Sequence, residues 1–199
     1  MNVLKASRVG VACVLLWAYG CCRLGAQTQP AKTPAVNPDS LVVMDFENRV
    51  KEYLKLHKKA QAEVLPLKPT DSASLIDRHE HLLASKIRAA RPQAKQGEIF
   101  SPEISQLFKR LISAAYQGAD AAHVRVSLRH AEPVSGVHLS VNAEYPERTP
   151  LQSMPPSILL DLPGLPPELE YRIVGRDLVL RDVGANLIVD YMPDAIPAS

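Results

Sequence analysis

The residues in this chain best suited to chemistry are six histidines and a scatter of acids. His79-Glu80-His81 resembles a metal motif at first glance, but a zinc-peptidase pair needs its imidazoles four residues apart on one helical face. Residues 79 and 81 point to nearly opposite sides of a helix, so they cannot hold one ion together. His79 falls in an apolar stripe and reads as a hydrogen-bonded core histidine. His123 and His130 are spaced to share a helical face, with Asp120 one turn before His123. These three are the metal-ligand candidates, and solvated helix polars explain them equally simply.

A serine nucleophile needs a base and an orienting acid. The chain has neither a G-x-S-x-G elbow nor a glycine loop that would cradle phosphate. A triad or a carboxylate pair assembled only by the fold stays open. Glu168, Glu170, Asp177, Asp182 and Asp190 cluster near the C-terminus beside Arg172 and Arg181. Solvent exposure and cross-strand pairing account for them. Glu170, Arg172, Arg181 and Asp190 together form the candidate surface for an interaction.

Those residues belong to the most legible element, "ELEYRIVGRDLVLRDVGANLIVDYM". Gly175-Arg176 is a Gly-X loop of the kind a type II′ hairpin requires. It sets Ile173 opposite Leu178, Tyr171 opposite Leu180 and Glu170 opposite Arg181. Gly184-Ala185 offers a second turn, with Leu180 opposite Val189 and Leu178 opposite Tyr191. One face then carries Tyr171, Ile173, Leu178, Leu180, Leu187, Val189 and Tyr191. The other carries Glu170, Arg172, Arg181 and Asp190, with Val174, Val179 and Ile188 among them. Slipping by one residue would turn the apolar set to water, so the pattern predicts a three-stranded meander in that register.

Helices precede it. Asp39 or Ser40 can cap a helix from Leu41 to about Glu63, with a core stripe of Val43, Phe46, Val50, Tyr53, Leu54 and His57. Lys51, Lys55, Lys58 and Lys59 lie opposite, near the end where cations are favoured. A second helix follows a cap at Thr70 or Asp71, with Leu75, Ile76, His79, Leu82, Leu83, Ile87 and Ala90 as its stripe, closed by Pro92 and Gly97. Ser101-Pro102-Glu103 opens a third, faced by Ile104, Leu107, Phe108, Leu111, Ile112 and Ala115. Residues 120–131 read as a fourth helix or a strand. Val137, Leu139, Val141, Ala143 and Tyr145 alternate as a half-buried strand. Residues 146–167 hold six prolines and read as a connection, with one short helix at "SILLDL" packed by Ile158, Leu159 and Leu162.

The N-terminus has an export layout. Lys5 and Arg8 precede an apolar run from Val9 to Tyr19, then small residues ending at Ala26. This predicts a signal peptide over residues 1–26, too short to span a bilayer stably. Ala18-Tyr19-Gly20 departs from the Leu-small-small lipobox, so a lipid anchor at Cys21 is not expected. Cut after Ala26, the mature chain keeps none of the three cysteines. It then needs no oxidative folding and has no thiolate for metal or nucleophilic work. Residues 27–38, polar and proline-bearing, read as a flexible tether. Beyond the leader, residues 27–131 carry 16 basic and 11 acidic residues, and residues 132–199 carry 4 and 10. Docking of the two halves is the simplest use of that asymmetry, and a near-neutral total argues against a general nucleic-acid binder.

"LEYRIVGRDLVLRDVGANLIVDYMPDAIP", with "VMDFENRVKEYLKLHKK", resembles a family of uncharacterised exported bacterial proteins. The resemblance spans most of the mature chain and implies no activity. Tyr171-Arg172, Leu178-Val179-Leu180 and Leu187-Ile188-Val189 are similar to the strands of nickel/cobalt-homeostasis periplasmic proteins of the RcnB type. The expected fold is α+β, with three or four helices in residues 39–132 and an antiparallel sheet of about four strands in 133–197, packed as one domain. The expected function is a non-catalytic envelope or periplasmic module, without a cofactor; its partner is not legible in the sequence, and another envelope protein is the candidate. A hydrolase with a site assembled in the fold and a periplasmic metal-homeostasis protein are the alternatives.

Overall fold

The computed structural model of the protein describes residues 37–118, 121–123, 126, 138–145 and 154–197. Helix α1 is Pro38–Ala62, α2 Ala73–Ala90, α3 Pro102–Gln117 and α4 Pro156–Asp161. They precede strands β1 Leu169–Val174, β2 Asp177–Asp182 and β3 Leu187–Met192. The fold is α+β. No helix among the described residues is long and apolar enough to cross a membrane.

α1 starts earlier than its apolar stripe predicts. Asn37 caps it by accepting from Asp39 N at 3.1 Å, and Pro38 fits the first turn, where an amide hydrogen would be unpaired anyway. Phe46, Val50, Tyr53, His57 and Ala60 are its buried residues, as the stripe requires. α2 differs more. It buries Leu83, Ala84 and Ile87, while Leu75 and Leu82 are 44% and 53% exposed. His79 is half-buried, and among the described residues the buried histidine is His57 on α1. α3 follows the sequence reading: Ser101 caps it, Pro102 opens it, and Ile104, Leu107, Phe108 and Ile112 go inward. In α4 Ile158 is buried and Leu159 exposed. Residues 121–123 are helical; Asp120, His130 and most of the predicted fourth helix lie outside the described residues.

The sheet runs β1-β2-β3, antiparallel throughout. Gly175, at φ 63°, opens the first hairpin turn, and the β1–β2 register is the predicted one, with Glu170 opposite Arg181 and Ile173 opposite Leu178. The second connection is a four-residue turn over residues 183–186, closed by Asn186 at φ 47°. Asp182 opposite Leu187 and Arg181 opposite Ile188 keep the predicted register there. Beyond them it shifts by one residue between Leu180 and Arg181. A bulge at Val189 absorbs the extra residue and exchanges the faces of the rest of β3. Met192 faces Leu178, Tyr191 moves to the outer side opposite Val179, and Asp190 stands opposite Leu180 with no exposure. The expected surface position of Asp190 and inward position of Tyr191 are both reversed by that bulge.

The inner face packs on the helices in one apolar cluster. All three phenylalanines meet there: Phe108 contacts Phe46, Phe100 and Tyr171 at centroid distances of 5.3, 5.9 and 6.1 Å, each near edge-to-face. The outer face is covered too. Tyr145, Val174, Val179 and Ile188 form a second, smaller cluster. Residues 138–145, expected as a fourth strand, make a turn with Asn142 at φ 68° and one bridge, Glu144 to Leu187. Ile188 N donates to Ala143 O at 2.9 Å and Tyr145 N to Asn186 O at 2.8 Å, so this segment lines the edge of β3 without extending the sheet.

Candidate functional site: sealed acids and an open strip on α1

Two aspartates carry the connection between sheet and helices. Asp182, at the end of β2, is fully buried and accepts from Tyr53 Oη at 2.7 Å, His57 Nδ1 at 2.6 Å and Ala185 N at 2.9 Å. The hydrogen bond to Asp182 raises the His57 pKa above its ordinary value, although burial pulls the other way. Burial, and then the Asp182 charge, push the Tyr53 hydroxyl far above its usual range. Gly184 closes over this group: a Cβ there would meet Leu83, Asp182 and His57 Cε1 at 3.6, 3.8 and 3.8 Å. A histidine–aspartate pair of this kind can serve catalysis, but here Tyr53 and His57 are 5% and 2% exposed. It is a sealed clip between α1 and the sheet.

Asp190 does for a loop what Asp182 does for a helix. The bulge turns its carboxylate onto residues 97–100, where it accepts from Gly97 N, Ile99 N and Phe100 N at 2.9, 2.8 and 2.9 Å. Arg91 donates to Val189 O at 3.1 Å and to Glu98 at 3.0 Å, with its guanidinium 5.3 Å from the Tyr53 ring centroid. Arg49 donates to Glu98 O at 2.7 Å. The α2–α3 connection is thereby fixed from three sides.

On the outer face, three of the four expected interaction residues do converge. Arg172 and Arg181 both donate to Glu170, and Arg181 also places Nε and Nη2 on Asn186 Oδ1 at 3.0 and 2.8 Å. Burial works against ionisation of Glu170, but the two guanidiniums outweigh it and hold its carboxyl below the usual range. The Arg181 guanidinium lies 5.3 Å from the Tyr145 ring centroid. These side chains are largely covered: Arg181, Arg172 and Glu170 retain 14%, 20% and 24% of their exposure. The network holds the outer cluster, and the charge pairs expected to be exposed are half-buried. Asp190 is not part of it.

Among the described residues the histidines outside the core do not converge. His123 is exposed, and His81 pairs with Glu144 at 3.0 Å beside Arg88. Among the described residues no group of three His, Cys, Asp or Glu side chains could hold a metal.

Open concave surface lies in two places: a cleft of about 440 Å³ between α4, the loop after it and β1, which reaches Glu170 and Arg172, and the solvent side of α1. A cleft of about 370 Å³ lies where Asn48, Glu52 and Tyr53 face Arg91 and Glu98 of the α2–α3 connection. It shares Asn48 and Glu52 with a second, of about 410 Å³, between Lys51, Lys55 and Lys58. The second shares Lys51 and Leu54 with a third of about 270 Å³, walled by Phe46, Val50 and Pro166. The three join into one grooved strip. The sequence marked its lysines as a helix face but gave no sign of its walls, which come from residues 40 and more than 100 positions downstream. Comparison with protein-family models, curated proteins and solved structures finds no match.

Proposed function

We propose that this protein is an exported, non-catalytic binding module of the cell envelope, and that the strip along α1 is its binding face. The contiguity of the three clefts carries the reading. A catalytic centre calls for convergent polar groups in an enclosed pocket, whereas here the convergent acids, Asp182 and Asp190, are engaged within the fold and the clefts along α1 are open to solvent. The basic, apolar and small-residue succession before Gln27 supports export.

The test is photocrosslinking in the producing cell, with the reactive residue placed at Glu52, Lys55 or Lys58 on the strip, or at Gln106, an exposed position of α3. The expected result is a discrete adduct from the strip positions and none from position 106. Absence of adducts from all three strip positions, or adducts formed equally from position 106, overturns the assignment.

A further inference from the structure

The strip's chemistry identifies the class of partner, on the premise that α1 is the binding face. Its concavities are lined by five cations, Arg49, Lys51, Lys55, Lys58 and Arg91, and three acids, Glu47, Glu52 and Glu98. Each of those acids is met by one of those cations: Glu47 by Lys51 at 3.9 Å, Glu52 by Lys55 at 2.7 Å and Glu98 by Arg91 at 3.0 Å. Arg49 is met in turn by Asp45 at 2.6 Å, so among the described residues Lys58 is the cation of the strip left without an acid, and it lies on one helical side with Lys51 and Lys55, spaced four and three residues apart. Next to Lys51 the third cleft is apolar, floored by Phe46, Val50 and Leu54, and of a size to accept one aliphatic or aromatic side chain.

From Phe46 to Lys58 the helix advances about 18 Å, a distance that about five to six residues of extended chain cover. A flat anionic membrane suits this surface poorly, because the apolar slot is recessed and Glu47 and Glu52 are exposed beside the lysines. An extended chain can place carboxylates on the lysines and step past the acids. We propose that the strip receives an extended acidic peptide segment of another protein, with one apolar side chain anchored between Phe46, Val50, Leu54 and Pro166 and its carboxylates on Lys51, Lys55 and Lys58.

The probe is a short fluorescent Glu-rich peptide with one central Leu, titrated into the full-length protein at low salt and followed by anisotropy. Saturable binding is expected, weakened about tenfold or more by the double substitution Lys55→Glu, Lys58→Glu, and again when Ser replaces the Leu of the peptide. Both lysines are exposed, so the variant should keep the parent's circular dichroism and melting temperature, and these are measured alongside. Equal binding of a peptide with Lys for every Glu, unchanged affinity in the charge-reversed variant, or binding only to phosphatidylglycerol vesicles overturns the proposal. Crosslinks from the strip in cells combined with no peptide binding would keep α1 as the binding face and remove the acidic peptide as its occupant.

Discussion

His57 and Asp182 lie 125 positions apart in the chain and meet through a 2.6 Å hydrogen bond that water does not reach. A charge pair so enclosed is costly to break from one side, because the remaining group is left buried without its counterpart. Asp182→Ala should lower stability by about 3–5 kcal/mol, measured by urea denaturation at mildly acidic pH.

The same pair sets a pH dependence. The folded-state pKa of His57 is raised, so the folded protein holds this proton more tightly than the unfolded chain does. Its contribution is complete below about 6.5, the ordinary histidine value, and is lost as pH rises through the folded-state pKa. Urea midpoints should therefore fall over that interval in the parent, and the fall should vanish in His57→Gln. A parent midpoint that rises over the same interval would contradict the pairing.

Asp190 accepts from four backbone amides, three of them in the α2–α3 connection and the fourth that of Tyr191. Asp190→Ala leaves Gly97 N, Ile99 N and Phe100 N without their acceptor, two of them in buried surroundings. At about 1–3 kcal/mol for each buried donor left unpaired, this should be among the most damaging single changes outside the apolar core. Hydrogen exchange offers the site-specific check: the amides of residues 97, 99 and 100 should lose protection while those of α3 keep theirs.

Leu180 and Arg181 are adjacent on β2 and face opposite clusters. Leu180→Ala should cost about 2–5 kcal/mol by opening a cavity under the sheet. Arg181 would be dispensable as an exposed pair, but it is largely covered and bonded to both Glu170 and Asn186. Arg181→Ala should therefore cost more than the roughly 1 kcal/mol limit of surface ion pairs, and Arg181→Lys should recover only part of it, since lysine lacks the planar fork that Asn186 meets.

Export gives the last prediction. Protein recovered from the producing cell should begin at or near Gln27, carry no lipid on Cys21 and show no change in melting temperature with dithiothreitol. Mass spectrometry of the intact chain checks the first two. An uncut Met1 or a diacylated cysteine is the contrary result.

The β1–β2 hairpin, α3 and the inward face of α1 were legible because each rests on local rules: a glycine with positive φ, a Ser-Pro-Glu start, a stripe at helical spacing. Asp190 was misread for a physical reason. Strand alternation assumes an unbroken period of two, and the bulge at Val189 adds a residue that no local feature of "NLIVDYM" announces. His57 was visible as an inward residue of α1, but its partner was not, since nothing local links positions so far apart. The α2 stripe misled in a different way. Leu75 and Leu82 have the right spacing for burial, yet each stays about half exposed.

The two buried aspartates also set an order of events. α1 and the α2–α3 connection contain groups that come to rest only against Asp182 and Asp190, residues 90 or more positions downstream of them. Until then the Tyr53 hydroxyl, the His57 ring and the amides of residues 97–100 must be satisfied by water, and α1 has no sheet to lie on. A nascent chain stopped before β2 should hold its helices only loosely, and folding should finish late and depend on contacts of long sequence separation. On the export proposed above, that delay keeps the chain threadable until β2 and β3 are through.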